Sequence, residues 1–290
     1  MPVKSNDLAR VCKLAKDVYS VIWDQDNSSY RANQGFVVLE KSVLLFDTGS
    51  SAGEATLLDN LISKASGSMV KYIVNSHGHP NHVLGNAFFS KKYSKRGLDI
   101  ISSENCASVL IVLSKLKKYK GPGKKLSSAE IVAPNIAYSE NGMSLSIGPR
   151  KFMFIHPEVG AHTLGDTILA MPESGVMFLG DVLYNSTFPY VGDANIEAWI
   201  DFLNDIDYST YAKFLPGHGR VCGKDEVICF TNYLREIRDR LLSVDTKMGR
   251  ARLRSCFEIK GTEDWKSRST IDRNIDALFG ESQGRQQPQK

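Results

Sequence analysis

The sequence has few cysteines and no long hydrophobic run, and each shortage excludes a class of protein. No stretch approaches about 18 uninterrupted apolar residues, so a membrane span is not expected. The first twenty residues carry scattered charges and no continuous apolar segment, which argues against a secretory signal. The cysteines are odd in number and irregularly spaced, which argues against a disulfide framework and for a cytoplasmic protein. They are Cys12, Cys106, Cys222, Cys229 and Cys256.

Charge of one sign is not in large excess either. The 290-residue chain has 36 Lys and Arg against 32 Asp and Glu, a net charge of +4, which is too small to indicate nucleic acid. One segment, 115–125 (KLKKYKGPGKK), is strongly basic, with six lysines in eleven residues. It could attract an anionic substrate or RNA, but a solvated helix end and loop is the simpler interpretation.

Short apolar runs alternate with turn residues along most of the chain, a pattern that predicts an α/β fold. We expect one domain over 1–280, with a helical C-terminal extension from about 224 to 280 and a disordered tail at 281–290. The patterns predict helices at 54–66, 105–120, 196–204, 225–244 and 264–279. Strands are expected at 36–40, 43–50, 70–76, 131–133, 143–147, 151–155, 167–171, 176–179 and 212–219.

Histidine is also scarce, and its placement carries the functional information. Three of the six histidines, His77, His79 and His82, lie in residues 73–86 (IVNSHGHPNHVLGN), directly after a predicted buried strand. His77 and His79 point the same way in extended backbone, and His82 lies one turn beyond His79 if a helix begins there. A loop held by a rigid sheet is a favoured place for ligand residues.

Further candidate ligands follow later strands, again beside glycine. They are His162 in GAHTLGD, Asp181 in FLGDVL and His218 in PGHGR. Imidazole and carboxylate are ligands that divalent metals such as zinc take. His156, in FIHPE, is interpreted as an ordinary hydrogen-bonded histidine.

This ordered pattern resembles the signature of the metallo-β-lactamase fold superfamily over roughly residues 18–245. The family pattern is His-x-His-x-Asp-His, a distant Gly-His-Thr-x-Gly-Asp context, an Asp after a strand and a Pro-Gly-His. An upstream Asp-Thr-Gly turn is common in the family, and here it is Asp47-Thr48-Gly49. The resemblance implies a four-layer αββα sandwich, with two mixed sheets packed face to face and helices outside.

The resemblance also implies a role for each residue of the pattern. One metal would be held by His77, His79 and His162, and a second by His82 and His218, with Asp181 bridging the two. Metal-bound water would be the nucleophile, because its pKa falls from 15.7 to about 7. Asp47 would orient a ligand imidazole by a hydrogen bond.

The chain departs from the family at Asn81, where the family has an aspartate. An amide is neutral, ligates zinc poorly and cannot accept a proton as a general base. We therefore expect one tight zinc site and a weaker second site, with iron or manganese as alternatives to zinc. Asn81 and Asp181 remain the candidate catalytic residues beside the metals.

Several interpretations of this departure are open. The chain is a hydrolase in which metal-bound hydroxide attacks an ester, thioester, lactone or β-lactam-type substrate, and the intact His82 and His218 favour this view. Alternatively it is a sulfur-oxidising dioxygenase with one iron on His77, His162 and Asp181, or a metal-binding homologue with weak activity. An engineered asparagine is a further interpretation.

The substrate and partners are less well specified by the sequence. Tyr184, just past Asp181, is a candidate donor to a developing oxyanion. The chain lacks the length for the large inserted domain of nuclease members of the superfamily, so we expect a small-molecule substrate and no nucleic acid. The predicted helix ending at Phe279 would cover the sandwich, cover the site mouth or serve a homodimer.

Overall fold

The computed structural model describes residues 9–23, 31–116, 119–121, 124–126, 131–139, 142–244 and 249–279. The strands of this part are β1 Ala9–Ala15, β2 Val18–Trp23, β3 Gln34–Val38, β4 Val43–Phe46, β5 Val70–Val74, β6 Asp99–Ser103, β7 Tyr119–Gly121, β8 Lys124–Leu126, β9 Ile136–Tyr138, β10 Met143–Ile147, β11 Arg150–Ile155, β12 Ile168–Met171, β13 Val176–Tyr184 and β14 Lys213–His218. The α-helices are α1 Ala52–Ser66, α2 Pro80–Val83, α3 Asn86–Tyr93, α4 Glu104–Lys115, α5 Ile196–Asn204, α6 Lys224–Leu242, α7 Arg250–Ser255 and α8 Ser269–Phe279.

The strands form two large sheets and a separate hairpin. The first sheet has the order β1-β2-β3-β4-β5-β6-β9, antiparallel from β1 to β4 and parallel from β4 to β9. The second has the order β10-β11-β12-β13-β14, in which β13 and β14 are parallel. β7 pairs with β8. Because parallel strands end at the same edge of a sheet, the loops after β4 and β5 emerge together, and so do those after β13 and β14.

Three apolar layers hold the sheets and helices together. The layer between the sheets contains Phe46, Phe178 and other side chains of both sheets. A second layer packs α1 and α3 on the outer face of the first sheet, and a third packs α5 to α8 on the outer face of the second. The predicted four-layer αββα sandwich is therefore confirmed. Side chains of α6, α7 and α8 belong to the third layer, which supports the proposal of one domain over residues 1–280.

Capping residues explain where several helices begin. The Ser51 hydroxyl accepts a hydrogen bond from Glu54 N–H at the start of α1, and the Asn195 side chain does the same for Ala198 N–H at α5. Gly67, with φ of 66°, ends α1 in the left-handed conformation that glycine adopts without strain. None of the helices in the described part of the chain has the length and apolar content needed to span a bilayer.

The structure differs from the sequence predictions in several elements, and neither β6 nor α3 was predicted. Residues 131–133 form a loop rather than the predicted strand. Ile131 packs against α4 and Pro134 follows, and the strand of this region is β9. The hairpin of β1 and β2 had no counterpart in the prediction, because its mixed polar and apolar sequence has weak alternation. α7 had no counterpart among the predicted helices, and α8 begins at Ser269 rather than at 264.

Two predictions fall wholly or partly outside the described residues. The tail at 281–290 lies beyond the described part of the chain. In the basic segment 115–125, α4 ends at Lys115 and the backbone of β7 and β8 follows, whereas the predicted helix continued to 120.

Candidate metal centre

The segments that carry the predicted ligands meet at one edge of the two sheets. Three histidines follow β5, one lies in the loop before β12, an aspartate lies within β13 and a histidine ends β14: His77, His79, His82, His162, Asp181 and His218. β13 and β14 approach closely there because position 217 is glycine. A Cβ atom at Gly217 would lie only 1.9 Å from Asp181 Oδ1.

A short helix sets the spacing within the histidine cluster. α2 begins at Pro80, whose fixed φ suits the first helical position and which has no N–H group to leave unpaired. His82 N–H donates to the carbonyl oxygen of His79 at 3.0 Å and closes this turn. The turn directs His82 away from His79, so the two imidazoles belong to different groups.

The first group contains His77, His79, His162 and Asp181. Their potential ligand atoms all lie within 4.8 Å of one another. His162 Nε2 is 3.1 Å from His79 Nδ1 and 3.5 Å from Asp181 Oδ2. His77 Nε2 lies 3.9 Å from the same carboxylate oxygen. These four residues are those that the resemblance assigned to one metal and its bridge.

The second group contains His82, His218 and Asp181. His82 Nε2 and His218 Nε2 lie 3.1 and 3.4 Å from Asp181 Oδ1. The Asp181 carboxylate therefore faces the first group with Oδ2 and the second with Oδ1. A carboxylate in this position can bridge two cations, one on each oxygen.

Burial and neighbouring charge shift the pKa values of these groups in opposite directions. Burial, together with the neighbouring imidazoles, holds the pKa of His77 well below 6.5, and burial lowers the pKa of His162 to about 3. Burial alone would lower the pKa of His82, but the Asp181 and Asp47 carboxylates raise it to about 10. Burial would raise the pKa of Asp181, but His82 and His218 hold it well below its usual range. The site thus contains an ionised carboxylate among imidazoles that differ in charge.

Unpaired buried atoms show that the donor set fits a metal. Among the described residues, His77 Nε2 is buried without a hydrogen-bond partner, and His82 Nε2 and Asp181 Oδ1, although 3.1 Å apart, form no hydrogen bond of good geometry. A buried polar atom without a partner is costly, and each of these atoms faces one of the two groups. Imidazole nitrogen with carboxylate oxygen is a donor set suited to zinc, with iron and manganese as alternatives.

Asp47 positions two of the imidazoles through hydrogen bonds, one directly and one through Ser76. It lies at the end of β4 with φ of 63°, a conformation that non-glycine residues seldom adopt and that marks a constrained position. His82 Nδ1 donates to Asp47 Oδ2 at 2.7 Å, and the Ser76 hydroxyl donates to the same oxygen at 2.7 Å. His77 Nδ1 in turn bonds to Ser76 Oγ at 2.9 Å. With these Nδ1 atoms as donors, both Nε2 atoms face the site.

Asn81 lies in the second group. Its side chain is 7% exposed, and Nδ2 is 3.4 Å from His218 Nε2. In this orientation the amide presents an N–H group to the lone pair that a metal would take. The residue that departs from the family pattern therefore contacts a ligand of the predicted weaker site.

Tyr184 also reaches the site. Its hydroxyl donates to Asp181 Oδ2 at 2.5 Å, and its ring stacks on His218 with centroids 5.3 Å apart. In this structure the hydroxyl therefore serves the carboxylate that both groups share. His156 lies outside the groups, where Nδ1 donates to the Asp166 carbonyl oxygen.

The structure adds a carboxylate that the sequence pattern did not indicate. His79 Nε2 bonds to Asp193 Oδ2 at 3.1 Å, which leaves His79 Nδ1 facing the first group. Asn274 of α8 fixes the loop that carries Asp193: its Oδ1 accepts from Val191 N–H at 2.9 Å, and its Nδ2 donates to the Pro189 carbonyl oxygen at 2.9 Å. α8 packs on the outer face of the second sheet and holds the loop that precedes Asp193. Asp193 and Asn274 lie in no recognisable motif, so no sequence signal pointed to them.

Comparisons with known proteins agree with this fold. A sequence profile of the metallo-beta-lactamase superfamily matches residues 30–98. The metallo-beta-lactamase IND-1 of Chryseobacterium indologenes is 22% identical over 206 residues, which cover 69% of this chain and 77% of that protein.

Solved structures share the architecture at low sequence identity. A metallo-beta-lactamase from Pontibacter korlensis superposes with a TM-score of 0.63 and 17% identity, over 78% of this chain and 99% of that one. A metallo-beta-lactamase from Erythrobacter litoralis, with beta-mercaptoethanol in its active site, gives a TM-score of 0.63 and 15% identity, over 81% and 100% of the two chains. These matches and the αββα sandwich show that the chain has the metallo-beta-lactamase fold, and the profile match and the two groups around Asp181 support the resemblance to that superfamily.

Proposed function

We propose that this protein is a zinc-dependent hydrolase of a small substrate with an ester, thioester, lactone or β-lactam carbonyl. One observation carries the proposal: six side chains from four separate segments of the chain form two potential ligand groups that share the Asp181 carboxylate. Two divalent ions are a common device of metal-assisted hydrolysis, and Asp181 would supply a carboxylate to both groups. The relatives named as metallo-beta-lactamases support the same class of reaction.

The residues of the site would have separate roles in this reaction. A bound divalent metal supplies a water of lowered pKa and polarises the substrate carbonyl. Asp47 holds His82 directly and His77 through Ser76, and Asp193 holds His79, so each imidazole presents a fixed lone pair. Asp181 supplies the negative charge that both groups share.

Within this proposal the first site is the tighter one. His77 and His162 have pKa values below 6.5, so they are neutral and ready to ligate at pH 7. The second site has two histidines and the shared carboxylate, and Asn81 adds no charge to it. His82 must also lose a proton before it ligates, because its pKa is raised to about 10. These differences support one tight and one weaker zinc site.

Tyr184 has two candidate roles in this reaction. Its hydroxyl donates to Asp181 Oδ2, which fixes the shared carboxylate. It also stands at the site, where a donor could stabilise an oxyanion. The hydrogen bond in the structure favours the first role.

The second ligand group favours the hydrolase over the alternative with one iron. A sulfur-oxidising dioxygenase would need only His77, His162 and Asp181, a set of two histidines and one carboxylate. That alternative leaves His82 and His218 without a role, although both Nε2 atoms face Asp181 Oδ1. A binding protein without catalysis is the remaining alternative.

The cellular location and the oligomeric state of the protein stay proposals. Cys12, Cys106, Cys222, Cys229 and Cys256 are all free thiols, which supports a reducing compartment such as the cytoplasm. We retain a homodimer as a prediction and expect no nucleic-acid partner.

Metal analysis and a substrate screen test this function. The full chain would be purified without added metal, analysed for zinc, iron and manganese, and then assayed with a β-lactam, a lactone, a thioester and an aryl ester. We expect zinc in the protein and hydrolysis of at least one substrate that the chelator EDTA abolishes and zinc restores. An iron-rich protein that consumes oxygen with a sulfur substrate would contradict the proposal, and so would zinc binding without any hydrolysis.

A further inference from the structure

One face of α4 exposes an apolar stripe although the opposite face is buried. Val109, Val112 and Leu116 follow Asn105 at helical spacings of four, seven and eleven, so they lie along one side of the helix. Their side chains are 50%, 59% and 42% exposed. Cys106 and Leu110 on the other side are buried against Val83, Leu84 and Ile131.

Both loops that carry the first ligand group rest on this helix. A Cβ atom at Gly78, between His77 and His79, would lie 3.4 Å from Val109 Cγ1. Asn105 Nδ2 donates to the Leu164 carbonyl oxygen at 3.1 Å, two residues after His162. The Leu164 side chain is 67% exposed. We call Val109, Val112, Leu116 and Leu164 the apolar shelf.

The shelf therefore begins beside the loop that carries His77 and His79 and continues along α4. Single exposed aliphatic side chains are common, but a group of four that borders a site marks a binding surface. Four partly exposed side chains fall well short of the about 800 Å² per partner that a standard protein interface buries. A small apolar group matches the shelf better than a second copy of the chain does.

We propose that the apolar shelf binds an aliphatic arm of the substrate, next to the carbonyl that is hydrolysed. This inference rests on the proposed hydrolase function, because the aliphatic arm reaches the shelf only when the reacting carbonyl of the same substrate is bound at the metal centre. It narrows the substrate class to molecules with an unbranched or lightly branched apolar chain beside the scissile carbonyl. Burial against one surface removes about half of such a chain from water.

Alkyl thiols test the shelf without any turnover. The probes are ethanethiol, butanethiol, hexanethiol and octanethiol, because a thiolate ligates the metal while its chain extends from it. The full chain would be loaded with Co²⁺, and binding read from the sulfur-to-cobalt absorbance. Full burial of a methylene group raises affinity about fourfold, and burial of half of it raises affinity about twofold. We therefore expect the affinity for the thiol to rise about twofold per added methylene.

Variants at the shelf give the matched comparison. Val112→Ser, and the double variant with Val109→Ser, should flatten the dependence on chain length and leave ethanethiol affinity unchanged. Both positions are at least half exposed, so these variants are expected to fold, which a thermal melt would check. Leu242→Ser, at an 81% exposed position at the end of α6, is the control and should keep the wild-type dependence.

The possible results separate the shelf from the metal centre. A protein that binds Co²⁺ and ethanethiol but shows no dependence on chain length overturns the shelf alone, as does an unchanged dependence in Val112→Ser. Failure to bind Co²⁺ overturns the metal centre and the shelf with it. A wild-type dimer that Val112→Ser converts to a monomer shows that the stripe is an interface between copies, and also overturns the proposal.

Discussion

Replacing Asn81 with aspartate should strengthen the second metal site. Asn81 Nδ2 lies 3.4 Å from His218 Nε2, and the side chain is almost fully buried. The substitution keeps the shape of the side chain, removes an N–H donor from the neighbourhood of the His218 lone pair and adds one negative charge. A carboxylate here faces the position where His82 and His218 would hold a cation.

The expected change in zinc affinity at the second site follows from two opposing effects. One unit charge about 4 Å from another gains about 4 kcal/mol at an effective dielectric constant of about 20, hence about 8 kcal/mol beside a dication. Removing a carboxylate from water costs several kcal/mol, which offsets part of this gain. A net gain of about 1.4–4 kcal/mol remains, which is roughly a tenfold to thousandfold lower zinc dissociation constant at the second site.

Competition with a fluorescent zinc chelator measures both dissociation constants in one titration. The first-site constant should change little in Asn81→Asp, and the second should fall by at least tenfold. Asn204→Asp adds the same charge at the surface end of α5, where Asn204 Oδ1 accepts from Arg235, and serves as the control. A second-site constant that is unchanged in Asn81→Asp, or that falls equally in Asn204→Asp, would refute the reasoning.

Three further predictions concern the groups around the ligands. Asp193→Asn removes the carboxylate that fixes His79 and should weaken the first zinc site by about 10- to 100-fold in chelator competition; an unchanged constant contradicts it. In the metal-free protein the raised pKa of His82 stabilises the fold below pH 6.5, and this stability is lost as pH rises through about 10. Zinc must displace that proton, so calorimetry should show second-site affinity rising with pH up to about 10, and no rise would be inconsistent with a charged His82. Tyr184→Phe should weaken zinc binding about tenfold through Asp181, whereas normal affinity with about 100-fold lower kcat would assign the hydroxyl to the substrate.

The grouping of the candidate ligand side chains could be predicted because each one is marked by its own short sequence context. His77 and His79 follow a buried strand, and Pro80 starts the turn that places His82. These local patterns need no knowledge of distant contacts. The four-layer fold was accessible by the same route, since the ordered pattern resembles one family.

The supporting residues could not be predicted, because distant parts of the chain bring them together. Asp193 reaches His79 across 114 residues of sequence, and Asn274 fixes the Asp193 loop from the C-terminal helix. The apolar shelf also could not be predicted from the sequence. Val109 and Val112 have the same residue type as buried core positions, and only packing shows which side of α4 is covered.

The central claim is that two groups of ligands share one carboxylate, and zinc stoichiometry tests it most directly. Metal-free wild-type protein and the variants His162→Ala, His218→Ala and Asp181→Ala would be titrated with zinc, with folding checked by circular dichroism. Two ions should bind to the wild type, one tightly and one weakly. His218→Ala should keep the tight ion and lose the weak one, His162→Ala should weaken the tight ion, and Asp181→Ala should weaken both. Binding of no zinc, or of two ions unaffected by Asp181→Ala in a folded protein, would contradict the account.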